Sequence, residues 1–178
     1  MTYYGGREMA AAFRTVRRNT IQVARDIPAD KYSFRATPDT QTVAEMLAHV
    51  AASTLWAIQA HGVDRKTYIS FEDFAAYMSR TAEAEKALST KEEILNALTA
   101  NGDEFASFLE QLTEDQLAER VRFPPPIEPA EKTRFEMLLG VKEHEMHHRG
   151  KLMLIERMLG IVPHLTRARQ QRQAAGSA

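Results

Sequence analysis

The segment from Lys132 to Leu159 constrains the fold more than any other part of the chain. It contains no proline, follows the run Phe123-Pro124-Pro125-Pro126-Ile127-Glu128-Pro129, and stops at Gly160 and Pro163. Each proline disfavours helix at the residue before it, so the 123–129 run is extended and a helix starts beyond it. Within the segment Val141, His148, Leu152, Ile155 and Leu159 share one face at 100° per residue. Such a helix runs about 40 Å and must bury its stripe against other elements.

The partners are also helical. Arg7 to Asp26 carries Met9, Phe13, Val16, Thr20, Val23 and Ile27 at 3–4 spacing, and Pro28 ends it. A second helix begins at Thr42, where Thr42-x-x-Glu45 has the form of a capping box, and continues to about Ala60. It is apolar or small almost all round, as a buried helix is. The third starts at Ser89 or Thr90, with Ser89-x-x-Glu92 as a capping pattern, and buries Ile94, Leu98, Phe105 and Leu109. Gly102 inside it marks a site for a bend. Ser70 to Ala87 reads as one short extra helix or a flap carrying Phe71, Phe74 and Tyr77. Strand alternation is nowhere convincing. The expected fold is an all-α four-helix bundle with irregular connections, one domain over residues 1–166, followed by a frayed polar tail over 167–178.

Charge and composition exclude several functions. The 23 basic and 24 acidic residues leave a net charge of −1, which gives no field to recruit nucleic acid or an anionic membrane. No stretch approaches 18 consecutive apolar residues, and no secretory signal pattern opens the sequence. Cysteine is absent, which removes disulfides, thiolate metal sites and a cysteine nucleophile together. A cytoplasmic protein is expected.

The histidines carry the chemistry. His144 and His148 lie one turn apart on the inward stripe, where their Cβ atoms are about 5–6 Å apart and can chelate one metal ion. A third ligand comes from elsewhere, and His49, in mid-helix among Ala48, Ala51, Ala52 and Ser53, sits at a similar depth. Two histidines from one helix and one from another leave a fourth position open, as in a catalytic zinc site. The competing reading makes each a hydrogen-bonded core residue. His147, about 100° round from His148, reads as a surface residue, and His61 and His164 read as exposed loop residues.

Two motifs nearly match. His144-Glu145-Met146-His147-His148 fits the H-E-x-x-H zincin protease pattern. The extended form fails at Gly150, however, and no strand edge exists to hold a peptide. Glu145-x-x-His148 also supplies one half of a diiron carboxylate bundle, but Glu45 and His49 are spaced i,i+4 and do not supply the other. Glu145 is therefore a possible partner or base beside the histidines, or a solvated glutamate.

Two blocks resemble the DinB-like family of metal-binding four-helix bundles, which includes YfiT-like hydrolases and bacterial thiol-dependent S-transferases. One is Thr42-Val43-Ala44-Glu45-Met46-Leu47-Ala48-His49-Val50, preceded by Tyr32-Ser33-Phe34-Arg35-Ala36-Thr37-Pro38. The other is Glu143-His144-Glu145-Met146-His147-His148-Arg149-Gly150-Lys151, followed by Leu159-Gly160-Ile161-Val162-Pro163. The resemblance implies an up-down-down-up bundle, one divalent metal ion (zinc or nickel first) on His49, His144 and His148, and a homodimer.

Such a site has two chemical uses. Metal-bound water can attack an electrophile, giving a hydrolase. Alternatively a low-molecular-weight thiol is deprotonated on the metal and transferred to an electrophilic small molecule; with no protein cysteine, that sulfur belongs to the cosubstrate. A non-enzymatic, stress-related metal-binding bundle is the third reading. Trp56, seven residues beyond His49, is a candidate pocket wall or a core aromatic. Arg149 and Lys151 are candidate rim contacts for an acidic thiol or plain surface charges.

Overall fold

The structure, a computed structural model, describes residues 4–176. Helix α1 (Gly6–Asp26) leads through a 3-10 turn to α2 (Val43–Ala52), α3 (Leu55–Ala57) and a wide π-turn over Ile58–Val63. Then follow α4 (Phe71–Lys86), α5 (Lys91–Glu110), the short α6 (Glu114–Ala118), strands β1 (Arg120–Arg122) and β2 (Glu131–Thr133), α7 (Arg134–Met158) and α8 (His164–Ala175). Reciprocal caps start the helices: Thr42 with Glu45, Ser70 with Asp73, Thr90 with Glu93 and Thr133 with Glu136. In α5 the cap is thus Thr90–Glu93, one residue later than the Ser89–Glu92 pattern.

Pairwise contacts give the helix directions. Gly6 backs onto the carbonyls of Leu109 and Leu112, and Lys91 reaches those of Arg25 and Ile27, so α1 and α5 are antiparallel. Tyr4 meets Phe135 and Arg149 reaches the Val16 carbonyl, so α7 runs with α1. Asn101 donates to the Ala51 carbonyl, and Ala57 packs with Phe105, so α2–α3 runs with α5. The bundle is up-down-down-up, as the family resemblance implies. One core cluster joins Val23, Leu47, Ile94 and Leu152 at one end, and another joins Phe13, Ala57, Phe105 and Leu138 at the other.

Arg17 crosses between the two clusters. Its guanidinium donates to both carboxylate oxygens of Glu145 on α7, at 2.9–3.0 Å, to the Leu98 carbonyl on α5 at 2.8 Å and to the Val50 carbonyl on α2 at 3.3 Å. One buried side chain of α1 therefore ties all four bundle helices together. Gly102 makes room for it: a Cβ there would sit 2.8 Å from Arg17 Cγ. This glycine marks a side-chain crossing, and α5 continues through it without a break.

Three sequence expectations of the fold need correction, and one open alternative is decided. The second helix does not run unbroken to Ala60. The ladder is interrupted at Ser53 and Thr54, and the segment divides into α2 and α3. There the Ser53 hydroxyl donates to the Val50 carbonyl of its own helix, and the Thr54 hydroxyl donates across to the Asn101 carbonyl of α5. Of the two readings of Ser70–Ala87 the helix holds: α4 spans 16 residues, Phe71–Lys86, anchored by Tyr77 Oη donating to Asp64 at 2.6 Å and by a Lys66–Asp73 ion pair. The connection after α6 includes a small antiparallel hairpin in which Val121 pairs with Lys132; strands of three residues are too short to show alternation. The segment read as a frayed tail is polar but helical through Ala175, and residues 177–178 lie outside the described part.

Candidate metal centre

α2 and α7 bring three histidines to one point. His49 Nε2 lies 3.0 Å from His144 Nε2, which lies 3.1 Å from His148 Nε2. One ring nitrogen from each falls within 4.8 Å of the others, and no other His, Asp or Glu cluster of such spacing occurs among the described residues. The i,i+4 pair on α7 stands face to edge, with ring centroids 4.5 Å apart, and the His49 ring is 4.9 Å from both.

Glu85, near the end of α4, accepts a hydrogen bond from His49 Nδ1 at 2.8 Å. That bond places a proton on Nδ1 and turns Nε2 toward the other two rings, the orientation a metal ligand needs. Burial, reinforced by the neighbouring imidazoles, holds the His148 pKa down at about 3 and lowers that of His144. Both rings are therefore neutral at pH 7. A single proton on His144 Nε2 can bridge to one neighbour only, so the other nitrogen pair is left facing like to like. A cation accepting all three lone pairs resolves that conflict, so the donor set fits a divalent metal ion. His148 Nδ1 is buried without a hydrogen-bond partner, and that ring is oriented by packing, with His147 edge-on at 5.3 Å. The His49 and Glu85 side chains keep 30% and 26% of their surface, so the site opens to solvent.

The other candidates divide. His147 is exposed, as expected. His61 is not a surface residue: the π-turn carries it inward, where Nδ1 accepts from Arg134 at 2.9 Å and Trp56 covers its ring. Burial, then the Arg134 charge, lowers its pKa to about 3. His164 is partly buried against Asn19, at 3.2 Å. Glu145 is neither base nor solvated; it is fully enclosed in the Arg17 pair. Arg149 turns to α1, away from a rim role, and Lys151 is exposed. Trp56 is half-buried and lines a cavity together with Met137. Glu85 went unnoticed in the sequence, because it lies 36 residues from His49 on a segment with no motif of its own.

The DinB superfamily profile matches residues 12–152, which span both the His49 and the His144–His148 blocks. The chain belongs to the DinB superfamily. Solved structures agree on the fold. A DinB-like protein from Bacillus subtilis, YjoA, superposes with a TM-score of 0.62 at 22% identity, covering 86% of this chain and 92% of that one. YfiT from Bacillus subtilis, described as a probable metal-dependent hydrolase with an unusual four-helix bundle topology, gives 0.67 at 15% identity over 90% and 91%. The mycothiol-dependent maleylpyruvate isomerase gives 0.62 at 14% identity over 85% of this chain and 63% of that one. No curated protein matches the chain. No helix among the described residues is long and apolar enough to cross a membrane.

Proposed function

We propose that this DinB superfamily member is a metal-dependent enzyme that transfers a low-molecular-weight thiol to an electrophilic small molecule, with His49, His144 and His148 as the metal ligands. The convergence of three imidazoles, two of them held unprotonated by burial, beside two engaged glutamates carries the reading. Glu85 is committed to His49 and Glu145 to Arg17, so neither is free to act as a general base. With all three imidazoles on the ion, activation of a nucleophile would fall to the metal rather than to a carboxylate base. A divalent ion, zinc or nickel first since imidazole suits both, supplies Lewis acidity sufficient to deprotonate a thiol. Burial keeps His144 and His148 unprotonated, Glu85 orients His49, and Trp56 walls a cavity on the same helices. Its sequence has no cysteine, so the sulfur enters with the cosubstrate. The thiol-dependent isomerase among the structural neighbours supports a thiol, and YfiT supports hydrolysis as the second reading.

The deciding experiment combines metal content by mass spectrometry with turnover of a chromogenic electrophile. About one ion per chain in the parent, far less in His49→Ala, and conjugation that requires added thiol are expected. Thiol-independent hydrolysis by the metal-loaded protein would replace the transferase with the hydrolase. Inertness in both assays would leave a metal-binding bundle, and no metal after incubation with zinc or nickel would refute the site.

A further inference from the structure

Seven residues separate His49 from Trp56, Met137 from His144 and Met78 from Glu85. The first interval runs down α2–α3, where the backbone stays right-handed helical through Ser53, Thr54 and Ile58. The other two run against the sequence on α7 and α4. Because α2 is antiparallel to both helices, all three steps lead the same way. They end together: Trp56, Met78 and Met137 pack into one cluster with Ile69, Tyr77 and Phe123. Two helical turns, about 10 Å, therefore separate the histidines from a second level of the same three helices.

A cavity of about 390 Å³ opens at that level, walled by Trp56, Phe71, Phe74, Phe123, Ile127 and Met137. Its size falls in the range of about 300–1,000 Å³ typical of small-molecule pockets. No charged side chain lines it, and Ser70 is its one polar residue. Phe71 and Phe74 at its mouth are each about half exposed, which is unusual for two aromatics one turn apart on a helix with few buried residues.

We propose that this cavity is the substrate subsite for an uncharged, apolar body, aromatic or alicyclic, whose electrophilic end extends about 10 Å toward the three histidines. An ionic substrate would lose its hydration there and find no counter-charge. Concavity and alignment with the histidines favour a small molecule over a second copy of the chain. The inference rests on the proposed metal-dependent transfer for the meaning of the reactive end, but the binding of the body is testable without metal.

Trp56 is the sole tryptophan of the chain, so its fluorescence reports this cavity directly. The full chain is titrated with the neutral probe N-phenyl-1-naphthylamine, with and without chelator, and energy transfer from Trp56 is followed. Saturable one-to-one binding, unchanged by metal removal, is expected. Phe74→Asp at the exposed mouth should weaken it at least tenfold, and Phe74→Leu by less than threefold, with circular dichroism and metal content unchanged in both. Met137→Trp, which fills the cavity, should also abolish probe binding. Absence of saturable transfer, or equal affinity in parent and Phe74→Asp, would overturn the subsite. Self-association of the parent that Phe74→Asp abolishes, with no probe binding, would overturn it in favour of a dimer face. Metal content is read separately, so loss of the metal reading and loss of the subsite are distinguishable.

Discussion

Glu156 offers a test of the electrostatic reasoning at a distance from the histidines. Its side chain is fully buried near the end of α7, and neither carboxylate oxygen has a hydrogen-bond partner. Burial, with Asp26 of α1 adding like charge, pushes its pKa from 4.5 up to about 7, against the opposing pull of Arg167 on α8 and Arg157 on its own helix. Those arginines are committed elsewhere: Arg167 to Asp26 at 2.6 Å, and Arg157 to the Met153 carbonyl and Thr166. Between pH 4.5 and 7 the folded chain keeps a proton that the unfolded chain releases, so this group's stabilisation is complete below about 4.5 and is lost as pH rises through 7. The displacement corresponds to about 3 kcal/mol. Glu156→Gln keeps the shape and cannot ionise. It should match the parent near pH 5 and exceed it by about 2–3 kcal/mol at pH 8, or roughly 5–10 °C in Tm for a chain of this size. Thermal melts at 222 nm from pH 5 to 8 read the difference directly. A gap between parent and variant that does not change with pH would refute the reasoning, whatever its absolute size.

Further outcomes follow from the site and its supports. His49→Ala, His144→Ala and His148→Ala should each lose the metal ion in mass spectrometry of the intact protein, while His147→Ala and His164→Ala retain it. Glu85→Gln should lower metal affinity by about 10–100-fold in chelator competition, because it leaves His49 in place and loosens only its tautomer and orientation. Arg17→Met strands a buried Glu145 and should cost about 3–5 kcal/mol in denaturant unfolding, most of it recovered in Arg17→Met/Glu145→Leu. Gly102→Ala should destabilise by about 1–3 kcal/mol despite alanine's better helix propensity, since the new Cβ collides with Arg17; a stabilised variant would mean that Arg17 gives way freely.

The parts of this molecule legible in its sequence are those whose causes are local. The Thr42–Glu45 cap, the stripe on α7 and the i,i+4 histidine pair each depend on residues within one or two turns. α8 escaped because an apolar stripe reports burial rather than helicity. No residue of α8 is buried, so it shows no stripe, yet its Ala, Arg and Gln residues are good helix formers. His61 looked exposed because Gly62 follows it. The glycine instead lets the π-turn lie against Phe108, 3.0 Å from where a Cβ would stand, and so carries the histidine inward to Arg134. Glu85 and Arg17 matter through partners 36 and 128 residues away, and no spacing rule reaches that far.

Arg17 also explains why a site shared between two helices can be accurate. The carbonyl it binds on α2 belongs to Val50, the residue after His49, and the carboxylate it binds on α7 belongs to Glu145, the residue after His144. The same guanidinium thus fixes the depth and rotation of both helices at the level where the two imidazoles must meet. A buried ion pair is a weak source of net stability, because desolvation offsets most of the attraction. Its planar geometry is nonetheless directional, and several bonds from one rigid group leave little freedom to slide or turn. An apolar replacement packs as well without setting that register. The doubly substituted chain should therefore regain its stability while its metal affinity stays below that of the parent, which separates positioning of the histidines from support of the fold.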